Sequence, residues 1–111
     1  MLRMKKIKEV KSVESEKTTE KYLRDEIRKI GGKAYKFVSP GNAGVPDRLV
    51  CLPGGKAVFV ELKSEGKHST VIQKRQQGVL KLLGFAVYAD VDTKAMVDKL
   101  IGELKDEIQT T

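Results

Sequence analysis

Pro46-Asp47-Arg48-Leu49-Val50-Cys51-Leu52-Pro53-Gly54-Gly55-Lys56-Ala57-Val58-Phe59-Val60-Glu61-Leu62-Lys63 is the stretch whose reading decides the fold. Two apolar runs flank Pro53-Gly54-Gly55, residues that turn a chain back on itself, so Asp47–Leu52 and Lys56–Lys63 read as the strands of a hairpin. In the second strand the apolar residues run without interruption from Ala57 to Val60, the pattern of a central strand covered on both faces. Side chains alternate along a strand, so Ala57, Phe59, Glu61 and Lys63 share one face, and Val58, Val60 and Leu62 share the other. A regular hairpin that opposes Pro53 to Gly55 also places Asp47 across from Glu61. Two carboxylates and an ammonium at the end of an apolar strand are costly unless paired, protonated or bridged by a cation. Hard oxygen ligands of this kind suit Mg²⁺ or Mn²⁺. With phosphate as a further ligand, such a cation supports in-line displacement, and Lys63 would orient the nucleophile or stabilise the developing negative charge.

Working outward, Leu23, Ile27 and Ile30 fall at helical spacing and predict an amphipathic helix over Thr18–Ile30, stopped by Gly31 and Gly32. Lys33–Val38 reads as a short strand with Tyr35 and Phe37 on one side, and Ser39–Pro46 as a loop. Downstream, Ser64–Ser69 is a polar loop. Thr70-Val71-Ile72-Gln73 has the spacing of a capping box opening a second helix, whose buried stripe is expected to be Ile72, Val79, Leu80 and Leu83, with Gly84 at its end. Phe85–Ala89 reads as a fourth strand. Asp92 is the expected N-cap of a last helix carrying Met96, Val97, Leu100, Ile101 and Leu104 on one face. The order αβββαβα predicts an α/β domain with a mixed four-stranded sheet between flanking helices, the second helix making a parallel crossover. The domain is expected over 16–111, behind a basic, partly ordered arm at 1–15.

A chain of 111 residues is sized for one core. Its formal charge of +7 is unevenly placed: residues 1–84 carry nineteen basic and nine acidic side chains, and residues 85–111 three and six. That concentrated positive field makes nucleic acid the leading partner. The longest uncharged run, Phe37–Pro46, is broken by proline and glycine, which excludes a spanning helix of about 18 apolar residues. The N-terminal stretch is charged throughout, unlike a secretory signal, and the expected location is the cytoplasm. One cysteine, Cys51, excludes an internal disulfide and a thiolate-based zinc site, and reads as a small core residue.

Gly44-Val45-Pro46-Asp47, then thirteen residues, then Glu61-Leu62-Lys63, resembles the PD-(D/E)XK signature of restriction endonucleases, resolvases and repair nucleases. Gly31-Gly32, Ser39-Pro40-Gly41, Pro53-Gly54-Gly55 and a Gln73 eleven residues before Gly84 resemble one branch in particular, the virus-type replication-repair nuclease (VRR-NUC) domain in its stand-alone, phage-like form. The resemblance implies a restriction-endonuclease-like core. It also implies a metal held by Asp47, Glu61 and the backbone carbonyl of Leu62, with Lys63 as the catalytic lysine and Gln73 turned toward the site. Glu20 matches the family's acidic residue in the first helix and is a further catalytic and metal-ligand candidate, although a carboxylate at a helix start also stabilises the dipole. The implied function is a metal-dependent DNA endonuclease cutting branched DNA, Holliday junctions or flaps, during replication, recombination or repair. A homodimer is implied too, acting in the host cytoplasm if phage-encoded. Candidate DNA contacts are Lys36, Ser39, Asn42, Lys67, His68, Lys74 and Arg75. Arg48 should point away from Asp47 and make a structural pair. The alternative from another class is a non-catalytic nucleic-acid-binding protein with a degenerate nuclease fold.

Overall fold

The computed structural model describes residues 15–109. Apart from Ser15, the expected basic arm at 1–15 therefore lies outside the described residues. The order is α1 (Glu16–Lys29), β1 (Lys33–Lys36), β2 (Arg48–Leu52), β3 (Lys56–Leu62), α2 (Val71–Leu82), β4 (Val87–Val91) and α3 (Lys94–Gln109). The strands form one sheet in the order β1-β2-β3-β4. β1, β2 and β3 are antiparallel neighbours, and β4 joins β3 in parallel through the α2 crossover, as the sequence predicts.

Each boundary has a local cause. Ser15 caps α1 by accepting the amide of Thr18 at 3.1 Å, and Arg28 and Lys29 complement the dipole in its last turn. The chain then turns at Gly31 and Gly32; a Cβ on Gly32 would lie 2.7 Å from the carbonyl oxygen of Cys51, so only glycine lets the chain pass so close to β2. The expected N-cap of the last helix is corrected: the hydroxyl of Thr93 accepts the amide of Met96, and the carboxylate of Asp92 instead accepts the amide of Gly66.

One face of the sheet carries the core. Val50, Leu52, Val58, Val60 and Leu62 point into it and meet Leu23 and Ile27 of α1 and Val97, Leu100, Ile101 and Leu104 of α3. Each such fully buried aliphatic side chain is worth roughly 1.5–3 kcal/mol of transfer free energy. Met96 is 37% exposed and stands outside this core, contrary to the expected apolar face of α3.

The opposite face is thinner. Phe59 is buried there between Phe37 and Phe85, with ring centroids 5.6 and 5.4 Å away in edge-on geometry. α2 lies on this side, and its expected buried stripe is not observed. Ile72 and Val79 are about half exposed, Leu83 is 69% exposed, Leu80 is half-buried, and Gln77 is the residue the helix buries. Helical spacing correctly marks an apolar face on α2, but within one chain the sheet below covers only part of it. Among the described residues, no helix is long and apolar enough to cross a membrane.

Candidate active site

The β2–β3 ladder pairs Arg48 with Val60 and Leu52 with Lys56, the register that the Pro53-Gly54-Gly55 turn predicts. Continued one residue beyond the ladder, it sets Asp47 across from Glu61. Oδ1 of Asp47 accepts the backbone N–H of Leu62 at 2.9 Å, which ties the end of the Ser39–Pro46 loop to β3. The loop is held from above as well. Gly44 has φ +89, and a Cβ there would lie 2.5 Å from Cγ2 and 2.9 Å from the carbonyl oxygen of Ile72 on α2. Glycine thus serves twice at this position, for a left-handed backbone and for close approach.

Glu61 is 4% exposed, and its Oε1 is buried without a hydrogen-bond partner. Burial, followed by the nearby charge of Asp47, pushes its carboxyl up from 4.5 to about 7, against the pull of Lys63. Burial also raises Asp47 above the ordinary carboxylate range, opposed by the Leu62 N–H and by the charges of Arg48 and Lys63. Burial thus raises both carboxylates despite the neighbouring positive charges, and Glu61 has an oxygen with nothing to bind.

The Nζ of Lys63 donates to Oε1 of Gln73 at 2.7 Å. That oxygen also accepts the amide of Thr70 at 2.8 Å, while the amide of Gln73 donates to the Thr70 hydroxyl. The capping box therefore forms as predicted, and the same glutamine holds the lysine. The Nε2 of Gln73 reaches Oε2 of Glu61 at 3.4 Å. Cap and site are thus one hydrogen-bonded unit.

Glu20 is placed otherwise. Its carboxylate lies 3.2 Å from the guanidinium of Arg24 and 3.6 Å from that of Arg48. Among the described residues, no third Asp, Glu, His or Cys joins Asp47 and Glu61 in a metal-ligating group. Arg48 points to the α1 side of the sheet, as alternation predicts, and also donates to the carbonyl oxygen of Asp47 at 3.3 Å; its Nε is buried without a partner.

The candidate DNA contacts lie on β1, the Ser39–Pro46 loop, the loop before α2 and the first turns of α2. Lys36 ends β1 and is exposed; the side-chain amide of Asn42 donates to the Ser39 hydroxyl at 2.9 Å within the loop; Lys74 and Arg75 are exposed on the first turns of α2. Lys67 and His68 are exposed in the loop before α2, with Nδ1 of His68 4.0 Å from Oδ2 of Asp90.

The sequence reading missed the polar cluster beside the site. Oδ1 of Asp90 accepts both the amide and the hydroxyl of Ser69, at 2.8 and 2.6 Å, and Gln77 donates to that hydroxyl at 2.9 Å. The available signal was an aspartate inside the apolar run Phe85–Val91.

The chemistry of the donor set fits a hard divalent cation. Asp47, Glu61 and the Leu62 carbonyl offer oxygen donors, the Glu61 oxygen is orphaned, and Mg²⁺ in particular is commonly bound by one or two carboxylates with water and substrate phosphate completing its shell.

No family model matches the chain. A protein of Acyrthosiphon pisum secondary endosymbiont phage 1, named "Putative nuclease p44", is 57% identical over 72 residues, which are 65% of this chain and 77% of that protein. A solved structure described as a VRR_NUC domain superposes with a TM-score of 0.74 at 33% identity, over 80% of this chain and 96% of the other.

Proposed function

Because the chain belongs to the VRR-NUC family, we propose that it is a divalent-metal-dependent DNA endonuclease that hydrolyses phosphodiester bonds of branched DNA, and that it works as a homodimer. The observation that carries this reading is the pairing of half-buried Asp47, just ahead of β2, with buried Glu61 on β3, which has an orphaned oxygen and has Lys63 held beside it by Gln73. A core salt bridge would satisfy its carboxylates internally. Here the unsatisfied oxygen and the raised pKa of Glu61 leave room for a cation.

Asp47, Glu61 and the Leu62 carbonyl would hold Mg²⁺ or Mn²⁺. When bound, the metal supplies counter-charge to the scissile phosphate and favours ionisation of the attacking water. The chain's own residues do the rest. The Leu62 N–H fixes the rotamer of Asp47, and the Glu20–Arg48 pair steadies the start of β2 through the Asp47 carbonyl. As the P–O bond to water forms and the P–O bond to the leaving sugar oxygen breaks, negative charge grows on the phosphate. The ammonium of Lys63, already oriented by Gln73, would stabilise it.

The exposed charges of Lys36, Lys67, Lys74 and Arg75 would engage the DNA backbone. A chain with one such centre needs a second copy to cut two strands symmetrically, and the exposed apolar residues of α2 offer a surface for it. The proposed setting is the cytoplasm, of a host cell if the protein is phage-encoded.

The deciding experiment incubates the full chain with labelled four-way junction, flap and linear duplex DNA in Mg²⁺, Mn²⁺ or EDTA, with Lys63→Ala alongside. Metal-dependent cutting that disappears in the variant is the expected result, strongest on the branched substrates. Salt-sensitive binding with no cutting in either metal would replace this reading with a non-catalytic nucleic-acid-binding one.

A further inference from the structure

The first turn of α2 reaches the carboxylate of Glu61 through Gln73, yet apolar packing does little to place the helix. Leu82 and Leu83 are largely exposed, Val79 is half exposed, and the residue the helix buries is a glutamine. That glutamine, Gln77, donates to Ser69, and Ser69 donates twice to Oδ1 of Asp90. Ser69 immediately precedes Thr70, the N-cap on which Gln73 closes, and both Ser69 and Gln77 are more than nine-tenths buried.

Asp90 reaches Ser69 through a local irregularity of the sheet. The β3–β4 register runs Phe59 to Val87 and Val60 to Tyr88, then Leu62 to Val91, so β4 carries one extra residue against Glu61. Asp90 lies in this bulge with φ +56, a left-handed conformation that among the described non-glycine residues it alone adopts. Aspartate tolerates that conformation better than most residues, and a bulge re-aims a side chain that a regular ladder would direct elsewhere. A distorted backbone and three hydrogen bonds thus converge on the entry to α2, and Lys63 is held by the first turn of that helix.

We propose that Asp90 is a positioning residue whose carboxylate, through Ser69 and Gln77, sets the first turn of α2 and thereby the place at which Gln73 holds Lys63 and Glu61. The inference rests on the nuclease reading of that site. A bulge aspartate of purely structural value would lower stability when removed, without its effect passing through Gln73.

The test uses the full chain as Asp90→Ala, Asp90→Asn, Gln73→Ala and the Asp90→Ala/Gln73→Ala double variant, with kcat and KM measured on cleaved branched DNA. Misplacement of a catalytic group by about 1 Å costs about 100-fold, so Asp90→Ala should lose about that much in kcat with KM little changed. Asp90→Asn keeps an acceptor at Oδ1 and a residue tolerant of positive φ, and should restore most of the rate. Asp90→Ala should add little to Gln73→Ala, because residues acting through one network are not additive. The proposal is overturned if Asp90→Ala cuts at the wild-type rate, if Asp90→Asn is as slow as Asp90→Ala, or if the two single losses multiply in the double variant. Should Asp90→Ala fail to fold, Ser69→Ala, with Ser69→Thr as its rescue, interrupts the same link without touching the bulge. A readout independent of cleavage is the side-chain amide resonance of Gln73 in the metal-free protein, which should shift in Asp90→Ala and return in Asp90→Asn. A wild-type protein that cuts no DNA would sink the nuclease reading alone, and an unmoved Gln73 resonance in Asp90→Ala would sink the positioning role.

Discussion

The ammonium of Lys63 donates to Oε1 of Gln73 at 2.7 Å, and that oxygen is simultaneously the acceptor in the N-terminal cap of α2. Helix formation and lysine placement therefore share one atom, and substitutions at the two residues should separate the roles. Lys63→Ala should lose about 100-fold or more in cutting, as does removal of a single transition-state donor elsewhere, with the thermal midpoint nearly unchanged. Gln73→Glu keeps an acceptor for Thr70 and Lys63 but loses the donor to Glu61. It should retain the cap's contribution, about 1 kcal/mol, while cutting falls. Denaturation midpoints beside single-turnover rates check both.

The raised carboxyl of Glu61 predicts an unusual pH dependence of stability. In the metal-free folded protein this group titrates at about 7 against 4.5 in the unfolded chain, so between those values the native state binds the extra proton. Stability from this group is then present below about pH 4.5 and is lost as pH rises through 7, by on the order of 3 kcal/mol. Calorimetry in EDTA should show a lower midpoint at pH 8 than at pH 6. Glu61→Gln should flatten that slope, and Mg²⁺ at pH 8 should stabilise the wild type but not the variant. An EDTA midpoint that rises steadily from pH 6 to 8 would contradict the account.

Gly44 should be the most sensitive glycine of the loop before Asp47. Gly44→Ala must accommodate both φ +89 and the backbone of Ile72, whereas Gly41→Ala, at φ +85, has nothing within 4 Å of the new Cβ. The left-handed backbone alone costs about 1 kcal/mol or more, so Gly41→Ala should lose about that amount and Gly44→Ala clearly more. Because Gly44 supports the segment that carries Asp47, Gly44→Ala should also depress cutting beyond its effect on stability. Urea denaturation of the two variants, paired with their cleavage rates, makes the comparison.

The apolar residues of α2 predict self-association. Leu82, 88% exposed, and Leu83 close the C-terminal end of α2, the end opposite the Gln73 turn, so Leu82→Lys with Leu83→Glu should leave the fold intact while converting a dimer to a monomer. Light scattering at working concentration should report twice the chain mass for the wild type and the chain mass for the variant. Paired cuts on a junction should give way to single nicks. A monomeric wild type would remove the dimer from the proposal.

Much of this arrangement is legible in the residues because it depends on short-range periodicity. Period-two alternation and the Pro53-Gly54-Gly55 turn are enough to oppose Asp47 to Glu61, and the Thr70–Gln73 spacing specifies a helix start wherever the helix packs. These features are local, and their geometry follows from backbone dihedrals within a few residues. The partner of Glu20, the exposure of α2 and the role of Asp90 are of another kind. Glu20 meets Arg48 across 28 positions of sequence, and Asp90 meets Ser69 across 21. Each contact depends on how helices and strands stack, and for Asp90 on one extra residue that turns its side chain out of the regular alternation. An amphipathic stripe shows that a helix has an apolar face. What covers that face, and where a bulge aims a carboxylate, follows from packing in three dimensions, which no period along the chain encodes.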